Sequence, residues 1–454
     1  MKTRKVVLFS AVRDREIYTP LSILTLASTL AAEGFEVVLL DVQVDDDWQA
    51  RVARECADAF LFGASCLTSP SIRSVMEAIE IARAANHDIR VVWGGYHATL
   101  AAGAILRERL ADFVVRGQGE RAISALAHAL ADGDGDELRD RLAAVPNLGR
   151  WRDGEMVIGP IEPIGDMNAL PPLDYDLLDL DKYFTDDARE LSYITSYGCP
   201  WACTFCSEPR FSGRRWQPLA AERVAEEAIA LRDRYGLTLL NIMDPNFSSN
   251  AARVVEIVRA LQRRNACVPI MCDMRANDIL RIARLIDFAE LRAVGFQKIY
   301  IGVESGSDRV LTALKKGQSA ADPLEACRLL DRAGIATYTS FIHDLPQETE
   351  QDSDATFALV EKLCALEHNR QFHHFFLPFP STEIYDSLVA GSEQEWERPQ
   401  AEWANSSTFH GNTAWGGRFS FRKSVMRRLF DLRGRYPHAF RHPATLPVLK
   451  RLAS

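Results

Sequence analysis

The sequence predicts an α/β protein with three parts: an N-terminal doubly wound parallel sheet, a partial (β/α)6 barrel of the TIM type, and a C-terminal cap. Three observations carry that expectation. The 454 residues are too many for one ordinary domain and suit two or three. Short continuous apolar runs alternate with amphipathic stretches twice along the chain, the pattern of parallel strands covered by helices on both faces. A stretch rich in Gly, Pro and Asp, with little periodicity, separates the two alternations as a linker does.

The first alternation runs "KVVLFS", "FEVVLLD", "DAFLFGAS", "IRVVWGG" and "ADFVVRG", with helical patterns at 20–33, 47–57, 70–86, 98–110 and 119–131. Five strands of this kind make a Rossmann-like domain over 1–131, whose ligands sit at the carboxyl ends of the strands. Residues 132–190 read as the linker. The second alternation, over 191–390, has candidate strands "SYITSY", "TLLNIMD", "CVPIMCD", "KIYIGVE", "ATYTSFIHD" and "FHHFFLPF". Helices are predicted between them at 219–235, 250–264, 279–294, 320–333 and 350–366, giving six βα units with chemistry at the carboxyl ends of the strands. Residues 391–454, with Trp396, Trp403, Trp415, Gly416 and Gly417 before a basic helix near 421–435, read as a cap on the barrel. Tyr338, Phe375 and Trp415 are aromatic candidates for lining an enclosed pocket for a small molecule.

Composition narrows the function classes. With 47% hydrophobic and 25% charged residues the chain has the balance of a soluble globular protein, and a net charge of −9 does not indicate a nucleic-acid surface. The apolar run near the N-terminus is short and meets Arg13, Asp14, Arg15 and Glu16, so it reads as a first strand and not as a signal peptide. No stretch approaches the roughly 18 uncharged apolar residues of a membrane helix, and a cytoplasmic location is expected. The nine cysteines are odd in number and scattered, which argues against a disulfide framework. Cys267, Cys327 and Cys364 read as buried structural thiols.

Only one group of cysteines clusters, in "SYGCPWACTFCSEP" at 196–209: Cys199, Cys203 and Cys206 follow the first barrel strand. Structural zinc takes four protein ligands, and no fourth Cys or His is near. A four-iron cluster also has four ligand positions, so three thiolates leave one iron open to chelation. Here the chain resembles the radical S-adenosylmethionine (SAM) superfamily, in which the open iron binds SAM and an electron cleaves it to a 5′-deoxyadenosyl radical. The resemblance implies that Cys199, Cys203 and Cys206 hold a [4Fe-4S] cluster and that Phe205 packs near the adenine. "NIMDPNFSSN" resembles the family's second-strand segment and makes Asp244 a candidate contact to the SAM ammonium. "IGVESGSDRV" is similar to its "GxES" signature, so Glu304 and Ser305 are SAM candidates. Arg275, ending the third strand, suits the SAM carboxylate or a ribose hydroxyl. "FIHDLPQET" departs from the family's glycine-rich turn and puts His343 and Asp344 at the barrel mouth; of His373 and His374, at most one points inward.

The first domain resembles the cobalamin-binding domain of class B radical SAM enzymes. The matching pieces are "GASCLTSPSIRSV", "WGGYHATL", "VVRGQGE" and the "DMNALPPLDYDLL" linker. By that resemblance Ser65, Thr68, Gly94, Gly95, His97, Gly117, Gly119 and Glu120 contact cobalamin. The loop "SAVRDREIY" lacks the Asp-x-His-x-x-Gly motif that supplies a histidine to cobalt in the methionine synthase type, so Arg13 or Arg15 would lie near the lower face instead. The resemblance implies a cobalamin-dependent radical SAM methyltransferase, with an electron donor such as flavodoxin or ferredoxin as partner. Cyclisation, rearrangement or oxidation with the same cofactors is the alternative.

Overall fold

The computed structural model describes residues 4–12, 17–68, 71–185, 187–376, 379, 381–388, 397–405 and 422–440. Arg13, Arg15, Trp396, Trp415, Gly416 and Gly417 lie outside the described residues. The chain forms two compact units: Met1–Thr185 with Phe211–Gly213 and Tyr385–Gly416, and Asp186–Arg210 with Arg214–Ile384 and Gly417–Ser454.

In the first unit the five expected strands are β1 (Lys5–Ser10), β2 (Glu36–Asp41), β3 (Leu61–Ser65), β4 (Arg90–Gly94) and β5 (Phe113–Val115), all parallel. Each is nearly continuous in apolar residues because helices cover both faces; Phe9, Trp48, Phe62 and Trp93 meet in the core. The predicted featureless linker is corrected here. It carries a helix (Gly135–Ala144) and a hairpin, β6 (Leu148–Arg152) and β7 (Glu155–Ile158), which extends the sheet to the order β2-β1-β3-β4-β5-β6-β7. Asp153 and Gly154 turn the hairpin with φ of 50° and 84°, the double left-handed conformation that an Asp-Gly pair supplies. The rest of the segment is tied down: the Tyr183 hydroxyl donates to Asp41 Oδ2 at 2.9 Å, and Lys182 pairs with Asp45 at 2.8 Å.

The second unit opens with β8 (Glu190–Tyr193). The predicted strand "SYITSY" breaks there, and its second half forms β9 (Ser196–Gly198), antiparallel to β10 (Trp216–Pro218). Then follow β11 (Leu239–Ile242), β12 (Ile270–Met274), β13 (Phe296–Glu304), β14 (Ala336–His343) and β15 (Asn369–Phe375). Together with β8 they form a six-stranded parallel sheet, order β15-β14-β13-β12-β11-β8, as a partial barrel requires. The predicted helix at 279–294 is two helices, Ala276–Ile282 and Phe288–Ala293, because Asp287 caps the second by accepting from the Ala289 amide. Among the described residues, no helix is long and apolar enough to cross a membrane.

The C-terminal cap is also corrected. Gln400–Asn405 belongs with the first unit, where Trp403 is buried in the core. The basic helix, Lys423–Arg435, belongs with the second unit and rests on the outer helix Glu350–Cys364. Arg428 stacks on Phe357 at 4.1 Å, and Arg422 reaches three carboxylates, those of Asp344, Glu348 and Glu350. Asp344 therefore anchors this helix and does not serve the mouth. Cys327 and Cys364 are buried as expected, whereas Cys267 is exposed.

Candidate functional site

The cysteine loop grows out of the turn between β8 and β9. That turn is locked by Asp244, which accepts from the Thr195 and Ser196 amides at 2.6 and 3.0 Å and from both hydroxyls at 2.6 Å. Expected as an ammonium contact, Asp244 is instead a buried anchor with both oxygens engaged, and Arg253 reinforces the turn by donating to the Thr195 carbonyl at 2.9 Å. Beyond it the three cysteines are half-buried. The Thr204 amide pins the loop to Leu314 O at 3.0 Å, and the Glu208 amide donates to Cys206 Sγ at 3.4 Å. Burial pushes the Cys199 thiol up and the Cys206 thiol up to about 12, so metal loading has to displace protons.

Arg275 sits over this loop. Its guanidinium lies 4.3 Å from the Trp201 ring centre, and Nη1 is 3.5 Å from Cys203 Sγ. Nε and Nη2 are buried without a hydrogen-bond partner, two donors that an acidic ligand beside the cysteines would satisfy. Among the described residues no group of three or more His, Cys, Asp and Glu is arranged to hold a single metal ion. Thiolates that each bind a different iron have no need to converge on one point. Donor chemistry and orphaned guanidinium nitrogens together fit a cluster with a chelating carboxylate ligand.

Glu304 ends β13 with φ of 66°, a conformation uncommon outside glycine, after a bulge at Gly302. It pairs with Lys316 at 2.7 Å, both side chains 8% exposed. A Cβ at Gly302 would lie 2.5 Å from Glu304 Oε1 and 2.8 Å from Lys316 Nζ, so glycine makes room for the pair. Ser305, the other residue of this signature, is fully buried and bonded to Thr356 at 3.1 Å; it holds the loop to the helix Glu350–Cys364. Phe205 packs half-buried against Val310, Leu314, Leu345 and Phe376.

His343, expected at the mouth, is on the outer face. Its Nε2 lies 2.9 Å from His373 Nδ1, and both rings are sandwiched among Phe341, Phe357 and Phe440. Burial pushes both imidazoles far down, so the pair is neutral and structural. Phe375 is on the same outer face, 6.0 Å from the His343 ring. His374 is the one that faces inward.

In the first unit the predicted residues follow the carboxyl ends of β3, β4 and β5. Gly95 has φ of 87°, and a Cβ there would lie 2.7 Å from Ser65 Oγ, so the two loops meet only if that residue is glycine. The Gly117 amide donates to Thr99 Oγ1 at 2.9 Å, and Gly119 precedes the helix Glu120–Asp132, where Glu120 is buried. His97 is fully buried, with Nδ1 3.1 Å from Thr68 Oγ1 and Nε2 2.6 Å from Gln400 Oε1. Gln400 was not foreseen, since nothing local at position 400 signals a partner 303 residues away. Hydroxyls and a glycine pair at strand carboxyl ends, beside the change of strand order at β1, are a donor set that fits the polar tail of a nucleotide-like cofactor.

Burial pushes His97 down to about 4 from 6.5. Its folded value lies below its unfolded one, so the stability gained by burying it neutral is present above about pH 6.5 and lost as pH falls towards 4. The loss is on the order of 3 kcal/mol. Asp41, raised to about 6 by burial, acts in the opposite sense over part of this window. The comparison of parent with His97→Gln therefore isolates the effect: thermal melts from pH 7 to 4 should show a shallower fall for the variant. Parallel curves would refute it.

A B12 binding domain model matches residues 11–127, and a radical SAM superfamily model matches residues 193–360. The chain belongs to the cobalamin-binding radical SAM enzymes. The cofactors of this radical SAM enzyme are a [4Fe-4S] cluster, SAM and cobalamin. The chain is 28% identical over 380 residues to an uncharacterized methyltransferase of Pyrococcus horikoshii, covering 82% of this chain and 79% of that one. It is also 28% identical over 345 residues to an anaerobic magnesium-protoporphyrin IX monomethyl ester cyclase of Synechocystis, covering 74% and 67%. The solved radical SAM methyltransferase TsrM from Kitasatospora setae shares the fold with a TM-score of 0.71 at 22% identity, over 85% of this chain and 76% of that one.

Proposed function

We propose that this radical SAM enzyme is a cobalamin-dependent methyltransferase that acts on an unactivated carbon of a small organic molecule of the specialised-metabolite type. The observation that carries the reading is the union, in one chain, of a B12 binding domain and a barrel with three clustered cysteines beside a buried, under-bonded arginine. When bound, the cluster and SAM supply a 5′-deoxyadenosyl radical and cobalamin a transferable methyl group. The chain's own residues bind and orient. Cys199, Cys203 and Cys206 hold iron; Arg275 uses its free nitrogens on the SAM carboxylate; Glu304, fixed by Lys316, takes a ribose hydroxyl; Phe205 packs on the adenine. In the first unit Ser65, Thr68 and the Gly94–Gly95 turn hold the corrinoid tail, while His97 positions Thr68. An electron donor of the flavodoxin or ferredoxin kind reduces the cluster. Nine free thiols suit a reducing compartment such as the cytoplasm.

Cyclisation or oxidation is the second reading, favoured by the cyclase relative. One experiment separates them without knowledge of the substrate. Reconstituted protein with reduced cobalamin is incubated with SAM under a strong reductant, and both cleavage products are quantified. Methyl transfer predicts S-adenosylhomocysteine, from methylation of the corrinoid, alongside 5′-deoxyadenosine. 5′-Deoxyadenosine alone overturns the methyltransferase reading.

A further inference from the structure

Side chains alternate across the barrel wall, so each strand shows which residues face the lumen. On β12, Cys272 and Met274 are buried against the outer helices, and Asp273 points the other way. Asp273 is exposed, on the face of β12 that the outer helices do not cover. It makes no hydrogen bond or ion pair among the described residues. The other carboxylates near it are engaged, Asp244 by Thr195 and Ser196 and Glu304 by Lys316.

The strand register sets aromatic rings beside it. Asp273 is level with Tyr300 on β13, which is level with Tyr338 on β14. One row nearer the mouth, Phe372 on β15 faces the same lumen, its ring 5.3 Å from Tyr300 and 5.8 Å from Tyr338. His374 and Met243 are on the same face of their strands and are both exposed. Burial holds His374 down and therefore uncharged, so it adds no cation to the wall.

We propose that this luminal group is a substrate site selective for a cationic amine, with Asp273 as the counter-charge and Tyr300, Tyr338 and Phe372 as the aromatic walls. This rests on the reading above that the barrel acts on a small organic molecule. A carboxylate next to Tyr300, on a wall that Tyr338 and Phe372 continue, is an arrangement suited to an ammonium: the carboxylate supplies the opposite charge and aromatic rings their negative faces. An anionic substrate group is disfavoured at the same point. Burial, with the Asp244 charge adding and Lys316 opposing, pushes the Asp273 carboxyl up to about 7, and a bound cation would restore its charged form.

The test uses anaerobically reconstituted full-length protein and benzyltrimethylammonium as probe, with phenylacetate as the anion of similar size, titrated by calorimetry. The cation should bind at least about tenfold tighter than the anion. Asp273→Asn, which removes no hydrogen bond, should weaken cation binding about tenfold. Tyr338→Leu should also weaken it, and Asp273→Glu should retain it. Equal binding of cation and anion, or an unchanged Asp273→Asn, overturns the proposal. The same parent preparation is assayed for S-adenosylhomocysteine. Formation without cation selectivity overturns the substrate class alone; selectivity without formation keeps the amine site and removes methyl transfer.

Discussion

Cys203→Ala should abolish SAM cleavage. An Arg275 nitrogen approaches it at 3.5 Å, so on the proposed assignment its loss would remove a ligand and disturb the guanidinium that the SAM carboxylate would meet. Altering groups that only support metal ligands already costs about 10–100-fold in affinity or activity, and losing a ligand costs more. Iron content after reconstitution and the yield of 5′-deoxyadenosine with dithionite should both fall, the latter by at least about a hundredfold. Cys267→Ala is the control: that thiol is exposed and outside the motif, and its replacement should leave both measurements unchanged. Parent-rate cleavage by Cys203→Ala would refute the assignment of the loop.

Glu304→Gln should have the largest effect on stability. Glu304 and Lys316 form a pair in which each side chain is only 8% exposed, and removing one charge strands the other in the barrel. The expected cost is about 3–5 kcal/mol, read as a lower urea midpoint for the second unit. Lys316→Met alone should cost a similar amount. The double change Glu304→Gln/Lys316→Met should recover much of it, because no unpaired charge remains. A single variant within about 1 kcal/mol of the parent would mean that water reaches the pair and screens it. Each variant should also lose SAM affinity, since the positive φ at Glu304 persists only while its side chain is held.

Much of this was legible in the residues. The eleven main strands announced themselves as apolar runs at βα spacing, and the cysteine triplet identified its chemistry by the ligand it lacks. Other features were legible and missed. "LGRWRDGEMVI" contains an Asp-Gly pair between two short alternating runs, a hairpin signal that the loop-like surroundings concealed. Further features could not be read locally. Asp244 and Ser305 sit in motifs of binding type, yet the first locks the turn before the cysteines and the second fastens a loop to a helix. Motif position specifies a strand end, but not which neighbour takes up a side chain's hydrogen bonds.

The sequence by itself determined the two α/β units, the three-cysteine loop and the glycines where backbones must pass closely, because each depends on local periodicity, spacing or a missing Cβ. Only the tertiary structure decided the partners. It set Gln400 against His97, Arg422 against Asp344 and Glu348, and His343 against His373 on the outer face. It also set Asp273 level with Tyr300, without a hydrogen bond or ion pair among the described residues. The physical reason is the same in each case. A buried polar group must find a partner or be compensated by a ligand, and which one it meets is set by strand register and chain return over tens to hundreds of residues.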